Sequence, residues 1–174
     1  FDLLNYKHNT CRVVNEVKPE TLLVGATHLG RSLAPRVAAA LNTGLTADCT
    51  ALEVGDERNL VQIRPASSGN ILAHIRTTTR PQMATVRYKV MQKLPRDASK
   101  KGEIIRMKAD MIDSILKIVS KESAGSVNIA EADVIVCGGR GLKSAADFSL
   151  VEELANALGG VVGCTRPIVD DGWV

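Results

Sequence analysis

The sequence predicts an α/β protein built on parallel strands, and three observations lead to this fold class. Short apolar runs that end in glycine alternate with amphipathic helical stretches, which is the order of a parallel sheet flanked by helices. Apolar residues make up 45% of the 174 residues, enough for a sizeable core. Aromatic residues make up only 3%, so the core must be built from Ala, Val, Leu and Ile. That composition suits helices packed on a sheet better than a β-sandwich.

The N-terminal quarter of the chain predicts a helix, a strand and a second helix. Residues 2–17 place apolar side chains at helical spacing, and the following "KPE" ends the helix because proline disfavours helix in the residue before it. The run "TLLVGAT" at 21–27 is typical of a buried parallel strand. In "HLGRSLAPRVAAALN", Ser32 can cap a helix and Pro35 fits its first turn. The buried stripe predicted for this helix consists of Val37, Ala38 and Leu41.

The next part of the chain predicts neighbouring strands instead of further strand–helix alternation. The stretch "TGLTADCTALEV" at 43–54 is less regular, and its second half can be a strand. Three extended runs follow, "NLVQIRPA", "NILAHIRTTT" and "QMATVR", with Gly69 and Pro81 between them. Alternation of Ile71, Ala73 and Ile75 gives the middle run a half-buried face.

The C-terminal part predicts a linker and then a strand–helix–strand unit. The polar, basic stretch "KLPRDASKKGE" at 93–103 is the linker candidate, an exposed loop or, alternatively, a phosphate-binding one. Residues 104–120 fit either a helix or a strand. The run "EADVIVCGG" at 131–139 predicts a buried strand, 144–158 predict an amphipathic helix that ends in two glycines, and "VVGCTRPIV" predicts the next strand. The apolar face predicted for that helix consists of Phe148, Val151, Leu154, Ala155 and Leu158.

Several classes of protein are disfavoured by the composition. A net charge of +3 is too weak to indicate nucleic-acid binding. The absence of an 18-residue apolar run argues against a membrane span. The start lacks the pattern of a signal peptide and lacks Met, so the chain is expected to be cut, processed or incompletely read there. Scattered cysteines predict buried free thiols in a reducing compartment and, with scattered histidines, no metal site. The cysteines are Cys11, Cys49, Cys137 and Cys164.

A glycine turn around one arginine opens the strand–helix–strand unit. Ligands of parallel sheets sit at the carboxyl ends of strands, where helix N-termini offer amide donors to phosphate. Arg140, within Gly138-Gly139-Arg140-Gly141, adds a planar fork of donors. Neither the dinucleotide fingerprint nor the P-loop is matched, because Ser144 stands at the last glycine of the former and Leu142 interrupts the latter. The alternative is a tight structural turn with an exposed arginine.

The second strand of this unit ends in Thr165-Arg166. Since the carboxyl ends of parallel strands share one edge, Arg166 and Arg140 are expected to face the same charged or phosphate-bearing ligand. The alternative for Arg166 is a salt bridge with Asp170 or Asp171.

These stretches resemble a known family, the α subunit of electron transfer flavoproteins. "ADVIVCGGRGLKSAADFSLVEELANALGGVVGCTRPIVDDGW" is similar to the opening of its FAD-binding domain, and "LLVGATHLGRSLAPRVAAALNTGLTADCTAL" and "RPQMATVR" are similar to its N-terminal domain. The resemblance implies a three-layer parallel-sheet domain, flavodoxin-like or adenine nucleotide hydrolase-like, over residues 1–92. It further implies a partly extended connecting segment at 93–130, and the first βαβ unit of a Rossmann-like FAD-binding domain at 131–174. Both domains are expected to be incomplete.

The resemblance also implies a function. The α subunit pairs with a β subunit, takes electrons from flavin dehydrogenases such as acyl-CoA dehydrogenases, and passes them to a quinone oxidoreductase. Some relatives bifurcate electrons with NADH and ferredoxin. FAD is the cofactor, contacted by Arg140, Thr165 (often Ser in relatives) and Arg166, and the last lies near the isoalloxazine ring, where a cation favours reduced flavin. Such a chain is an electron carrier more than a catalyst, in the cytoplasm or, alternatively, the mitochondrial matrix.

The sequence also departs from the family pattern. The "VGQTG"-like and "SGAIQH"-like stretches that hold much of the FAD are absent, and Tyr88-Lys89 replaces a frequent Pro-Gly. FAD is therefore expected to bind weakly or not at all to this stretch alone. By resemblance, "SILKIVS" within 104–120 is expected to be extended, and the start of "ATHLGRSLAPR" is expected to be structural because the family's AMP site lies on the β subunit.

Two other functions compete with electron carriage. The chain could be a nucleotide-binding scaffold or regulatory module, or an NAD(P)-dependent enzyme. The latter needs an acid about twenty residues after the glycine turn, where "CTR" stands instead. We further expect a basic face that contacts the β subunit or a dehydrogenase, formed by Arg76, Arg80 and Arg87. The alternative is that these arginines lie in solvent at the ends of strands.

Overall fold

The computed structural model describes residues 2–66, 71–120, 129 and 132–173. These residues belong to two compact units, Phe1–Ile118 and Val119–Val174. Both units combine helices with parallel strands, so the predicted α/β class is confirmed. Across the described ranges, no helix combines the length and the apolar character that crossing a bilayer requires. The domain boundaries placed after residues 92 and 130 stay predictions.

The first unit contains the predicted helix–strand–helix start and a series of short strands. Its helices are α1 (Leu3–Val17) and α2 (His28–Ala40). Its strands are β1 (Thr21–Gly25), β2 (Leu45–Cys49), β3 (Ala51–Val54), β4 (Leu60–Pro65), β5 (Leu72–Arg76) and β6 (Gln82–Val86). Both halves of the irregular stretch 43–54 therefore form strands, where the sequence indicated only the second.

Two three-stranded sheets organise the first unit. The parallel sheet has the order β1–β6–β2, and the antiparallel sheet has the order β3–β4–β5. Strands β4 and β5 are neighbours as predicted, but β6 leaves them and becomes the central strand of the parallel sheet. Its residues Met83, Ala84 and Thr85 are almost completely buried, as a central strand requires.

Helix α2 covers the parallel sheet and forms the core of this unit. Val37 and Ala38 of α2 pack with Met83 of β6, and the predicted Leu41 lies partly buried against them. The other side chains around this cluster are Cys11, Leu22, Leu33 and Leu45. Because Cys11 belongs to α1, the first helix contributes to the same core, as its apolar spacing predicts.

The start of α2 lies five residues earlier than the sequence indicated. Thr27, not Ser32, is the N-cap residue, and its hydroxyl oxygen accepts a hydrogen bond from the amide of Gly30 at 3.1 Å. Pro35 consequently lies inside the helix and not in its first turn. Thr27 and Ser32 carry equivalent capping chemistry, so the local sequence does not distinguish them.

Strand β1 is parallel as predicted, but it is not buried. Its residues alternate between exposed and half-buried, and the side chain of Leu23 is half exposed. The reason is its position, because within the described sheet β1 pairs only with β6. In β5, Ala73 and Ile75 form the predicted half-buried face, whereas Ile71 lies outside the strand and is exposed.

Two buried glutamines join the strands of the first unit. The Gln82 side-chain oxygen accepts from the amide of Leu60 at 2.8 Å, and its side-chain nitrogen donates to the carbonyl of Thr77 at 2.6 Å. Gln62 accepts a hydrogen bond from the Thr46 hydroxyl, which ties β4 to β2. These bonds connect the antiparallel sheet to the parallel one, whereas the side-chain nitrogen of Gln62 is buried without a hydrogen-bond partner among the described residues.

The second unit is a βαβ element. Strand β7 (Ile135–Gly138) is followed by a 3₁₀ turn (Ala145–Asp147), helix α3 (Phe148–Ala157), strand β8 (Val161–Cys164) and the short helix α4 (Arg166–Asp170). Its core is formed by Phe148, Val151 and Ile168. Gly159 has a φ of 63°, the left-handed conformation that ends helices, as the paired glycines predict.

Three predictions for the second unit are wrong in part. Strand β7 is exposed along one face, including Ile135, and residue 131 of its predicted range lies outside the described residues. Leu154 and Leu158 of α3 are more than half exposed, because the sheet beneath the helix has only two described strands to cover it. The strand predicted for "VVGCTRPIV" ends at Cys164, and Pro167 occupies the first turn of α4.

The four cysteines are free thiols, as predicted, but they are not uniformly buried. Cys49 is completely buried, Cys11 and Cys164 are half-buried, and Cys137 is exposed. Burial raises the pKa of the Cys49 and Cys11 thiols, which keeps both protonated at neutral pH.

The stretch 93–120 contains neither helix nor strand. Residues 93–103 are exposed, and their role as a linker stays a prediction. Residues 104–120 form neither the helix nor the strand that the sequence allowed. Within this stretch, residues 108–112 lie against α1 and hydrogen-bond to its side chains.

Candidate functional site

The two parallel strands of the second unit bring the glycine turn and Thr165 to one edge. Strands β7 and β8 pair in register from Ile135↔Val161 to Gly138↔Cys164, so both strands end together. Beyond the last pair, the Thr165 amide donates to the Gly138 carbonyl at 3.0 Å. Arg140 and Arg166 therefore both follow the carboxyl ends of neighbouring parallel strands, as the strand order predicts.

Gly138 is needed for packing. A Cβ atom built at this position would lie 2.6 Å from a ring carbon of Phe148 and 3.2 Å from side-chain atoms of Leu142 and Val151. The absence of a side chain thus lets α3 lie directly on the end of β7. Gly141, in contrast, faces open space.

The start of the helical segment is already occupied by an acidic side chain. Ser144 and Asp147 form a capping box, and the Asp147 carboxylate accepts from the amides of Lys143 at 3.2 Å and Ser144 at 3.0 Å. A phosphate at this position would have to displace Asp147. The donors expected from the helix start are therefore less available than the sequence suggests.

The two arginines are each held by an aspartate at the end of α4. Nη2 of Arg140 donates to both carboxylate oxygens of Asp171, at 3.2 and 3.1 Å. Nε of Arg166 donates to Asp170 at 2.7 Å, which is the salt bridge that the sequence left as an alternative. The arginine side chains are 67% and 83% exposed, and exposed ion pairs contribute at most about 1 kcal/mol. An anionic ligand can therefore exchange with either carboxylate at low cost.

Thr165 occupies the N-cap position of α4 without capping it through its side chain. The residue is exposed, and its hydroxyl oxygen would lie 3.2 Å from a Cβ built on Gly139. The hydroxyl thus lies directly beside the glycine turn. The three predicted residues share one edge, although Arg140 and Arg166 are paired with carboxylates there.

A second charged cluster lies at the carboxyl edge of the parallel sheet in the first unit. Asp48 accepts from Nη2 of Arg31 at 2.9 Å and from Nη2 of Arg87 at 2.5 Å, and Nε of Arg31 donates to the carbonyl of Ala26 at 2.8 Å. The hydrogen bond from Arg87 is the main reason that the pKa of Asp48 lies below its ordinary value, with Arg87, Arg31 and Arg64 adding their charges. These arginines neutralise one carboxylate, and Thr27 caps the helix. The start of α2 therefore has groups that fit a structural role, as expected from the resemblance.

Arg80 and Arg87 of "RTTTRPQMATVR" do not belong to one local basic cluster. Arg80 precedes β6 and Arg87 follows it, so they lie at opposite ends of that strand. Arg80 donates to the side-chain oxygen of Asn59 at 2.9 Å, whereas Arg87 binds Asp48. Extended backbone separates consecutive residues by about 3.3 Å, which places these two arginines too far apart to bind one small acidic patch.

Replacing Asp48 with asparagine is expected to destabilise the first unit at neutral pH by about 1 kcal/mol, the value for partly exposed ion pairs. Asn tolerates the left-handed φ of 62° found at this position, so the change removes charge without straining the backbone. Because the folded pKa of Asp48 is lowered, its stabilisation is complete above the ordinary pKa of 3.8 and is lost as pH falls through the folded value.

Urea unfolding of both proteins at neutral pH and well below pH 3.8 measures this dependence. The two free energies of unfolding should differ at neutral pH and converge in acid. Exposed Asp113→Asn is the matched control. A difference that persists unchanged in acid would contradict the assignment.

Comparison with known proteins follows the same division of the chain. A family model described as the electron transfer flavoprotein domain matches residues 1–111, and one described as the electron transfer flavoprotein FAD-binding domain matches residues 128–174.

Three curated proteins illustrate the similarity. The electron transfer flavoprotein subunit alpha of Thermoanaerobacterium thermosaccharolyticum is 45% identical over 97% of this chain and 53% of its own length. The lactate dehydrogenase (NAD(+),ferredoxin) subunit LctC of Acetobacterium woodii is 47% identical over 92% of this chain and 39% of its own length. The protein FixB of Azorhizobium caulinodans is 47% identical over 93% and 46%. The chain spans about half the length of the curated relatives it matches, and it belongs to the electron transfer flavoprotein family.

Proposed function

We propose that this chain is part of an electron transfer flavoprotein α subunit, which pairs with a β subunit and carries electrons on FAD. The observation that carries this proposal is the shared edge of β7 and β8, where a glycine turn, a hydroxyl and two exposed guanidinium groups meet. This edge lies within the residues that match the FAD-binding domain.

The side chains at this edge fit a flavin nucleotide. Arg140 and Arg166 offer only donors, which suit the oxygens of a pyrophosphate or of the flavin ring, and Thr165 adds a hydroxyl. Gly141 leaves open space beside them. When bound, FAD supplies the reversible uptake of electrons, while the protein supplies binding, orientation and charge.

Arg166 has the role of tuning the cofactor. The positive field of its guanidinium stabilises a reduced, anionic ring system placed beside it. Arg140 and Thr165 have the role of holding the cofactor. In this scheme the chain is a carrier and not a catalyst on its own.

The electron donors are flavin dehydrogenases, such as acyl-CoA dehydrogenases, and the acceptor is a quinone oxidoreductase, with the cytoplasm as the compartment. The relative named for NAD(+) and ferredoxin supports a second candidate, a bifurcating complex. Mixing the flavin-loaded complex with NADH separates the two, since only the bifurcating complex should be reduced by NADH.

The test of the function is to co-express the complete gene product that contains this chain with the β subunit of its own genome. A stable complex with flavin absorbance that bleaches on reduction is expected. A folded heterodimer that takes up no FAD would refute the proposal and favour a scaffold or regulatory module.

A further inference from the structure

A cavity of about 280 Å³ opens at the amino-terminal edge of the parallel sheet in the first unit. It lies where α1 and α2 end and where β1 and β6 begin. Its apolar lining consists of Val14, Pro19, Leu41 and Pro81. Val14 and Pro81 are buried, and Leu41 packs against the core around Val37, so the floor of the cavity continues the hydrophobic core.

The walls of this cavity are held in place by the protein itself. The Thr43 hydroxyl donates to the carbonyl of Pro81 at 2.8 Å, and because its one proton is used there, it accepts from the Thr79 hydroxyl at 2.7 Å. These bonds join the loop after α2 to the loop before β6. The rings of Pro19 and Pro81 restrict the backbone of the two lining segments further. A preformed cavity of this kind needs little ordering when a ligand binds.

Three polar side chains line the same cavity and carry unused hydrogen-bond donors. The side chains of Asn15 and Lys18 are exposed at the end of α1, and neither has a hydrogen bond or ion pair among the described residues. Arg80 donates from Nη2 to Asn59 at 2.9 Å, which leaves Nε and Nη1 for another acceptor. None of the described lining residues is acidic. Two positive charges and an amide therefore border a cavity that has no carboxylate of its own.

The structural explanation accounts for one of these charges and not for both. Helices α1 and α2 end here, and helix C-termini carry partial negative charge. Lys18 follows α1 directly, and its amide already donates to the Val14 carbonyl at 2.8 Å, so its ammonium also offsets the charge of that helix end. Arg80 comes from a distant part of the chain. Like charges repel, so two cations brought to one cavity favour an anion between them.

The volume and the apolar floor indicate the class of anion. A water-sized group takes about 30 Å³, so the cavity holds about nine such groups. A strongly hydrated inorganic ion such as phosphate would lose water against the floor formed by Val14 and Leu41, which is unfavourable. An organic acid places its body on that floor and its carboxylate on the cations, where a guanidinium forms strong charge-assisted hydrogen bonds.

We infer that this cavity is a binding site for a small organic carboxylate with an apolar body of about four to eight carbon atoms. The carboxylate accepts from Lys18, Arg80 and the Asn15 amide, and the body lies on Val14 and Leu41. Such a ligand contacts the ends of both helices and the start of β6, so its binding stabilises the first unit. The site involves neither FAD nor the second unit, and it is therefore independent of the proposed function.

Titration with hexanoate tests the site on the complete gene product that contains this chain. The methyl resonances of Val14 and Leu41 report binding by nuclear magnetic resonance. Hexanoate is expected to shift both with a Kd of about 1 mM or lower. The uncharged match, 1-hexanol, and the anion without an apolar body, inorganic phosphate, are each expected to bind about tenfold more weakly or less.

Substitutions at the two cations give a second measurement. Lys18→Asn, which suits the left-handed φ of 50° at this position, and Arg80→Gln are each expected to weaken hexanoate binding about tenfold and to leave 1-hexanol unaffected. Asn59→Ala removes the partner of Arg80 and keeps the cation, so binding should persist. Exposed Lys117→Asn is the matched control. If Arg80→Gln fails to fold, Lys18→Asn decides.

Each other outcome overturns the inference. Binding of 1-hexanol as tight as that of hexanoate would show an apolar cavity without anion recognition. Phosphate binding as tight as that of hexanoate would show unspecific attraction to the cations, and unshifted methyl resonances at millimolar hexanoate would show no site. The flavin absorbance of the same preparation reports the proposed function separately.

Discussion

Replacement of Gly30 by alanine is expected to destabilise the first unit by about 3 kcal/mol or more, the upper range for overpacked sites. A Cβ atom on Gly30 would lie 1.9 Å from the carbonyl oxygen of Gly25 and 3.1 Å from Cγ1 of Val24. The carbonyl belongs to the backbone of β1 and cannot rotate away. Helix α2 would have to move off the sheet, with loss of contacts around Val37 and Met83.

The expected loss of stability is opposite to the gain that helix propensity predicts, so the two explanations can be distinguished by experiment. Alanine stabilises a helix interior by about 1 kcal/mol relative to glycine, so propensity alone predicts a gain. Urea unfolding measures the difference. Gly25→Ala is the control, because its Cβ would meet only a methyl carbon of Thr27 at 4.0 Å and should be tolerated. A Gly30→Ala protein as stable as the unchanged one would show that α2 does not approach β1 as described.

The fold was predictable where a local pattern determines it. Helices α1 and α3 and the ends of their neighbouring strands follow from apolar spacing, proline and glycine. The partners of a strand do not follow from such patterns, so the position of β6 between β1 and β2 could not be predicted. The prediction that β1 is buried failed for the same reason. Leu23 is exposed because of the position of β1 in the sheet, which its own sequence does not determine.

The candidate site was predictable in its placement and, as an alternative, in the salt bridge of Arg166, but not in the pairing of Arg140 with Asp171. The order strand, turn, helix, strand is enough to bring Arg140 and Thr165 to one edge of a parallel pair. The pairing of Arg140 with Asp171 depends on α4, which the sequence indicated as strand. Once residues 166–170 are helical, Asp170 lies one turn from Arg166, so the two side chains meet.

Arg166 and Asp170 are expected to shift the reduction potential of bound FAD in opposite directions. If Arg166 lies beside the flavin as proposed, Arg166→Ala removes a positive charge from the surroundings of the reduced ring and should lower the potential. Asp170→Asn removes the carboxylate that neutralises this guanidinium, 2.7 Å from its Nε, and should raise the potential. We expect shifts of roughly 30–60 mV, about a tenfold change in the redox equilibrium.

Potential shifts of opposite sign distinguish electrostatic tuning from general damage to the site. A distorted site would shift the reduction potential of both variants in the same direction. The measurement is a spectroscopic redox titration of the complete gene product with its β subunit, at two salt concentrations. Both shifts should shrink in high salt, since Arg166 is 83% exposed and the Debye length falls to about 3 Å at 1 M. Exposed Glu153→Gln on α3 controls for net charge and should leave the potential unchanged. Shifts of the same sign in both variants would remove Arg166 from the tuning role, because the only feature that the two substitutions share is the broken ion pair.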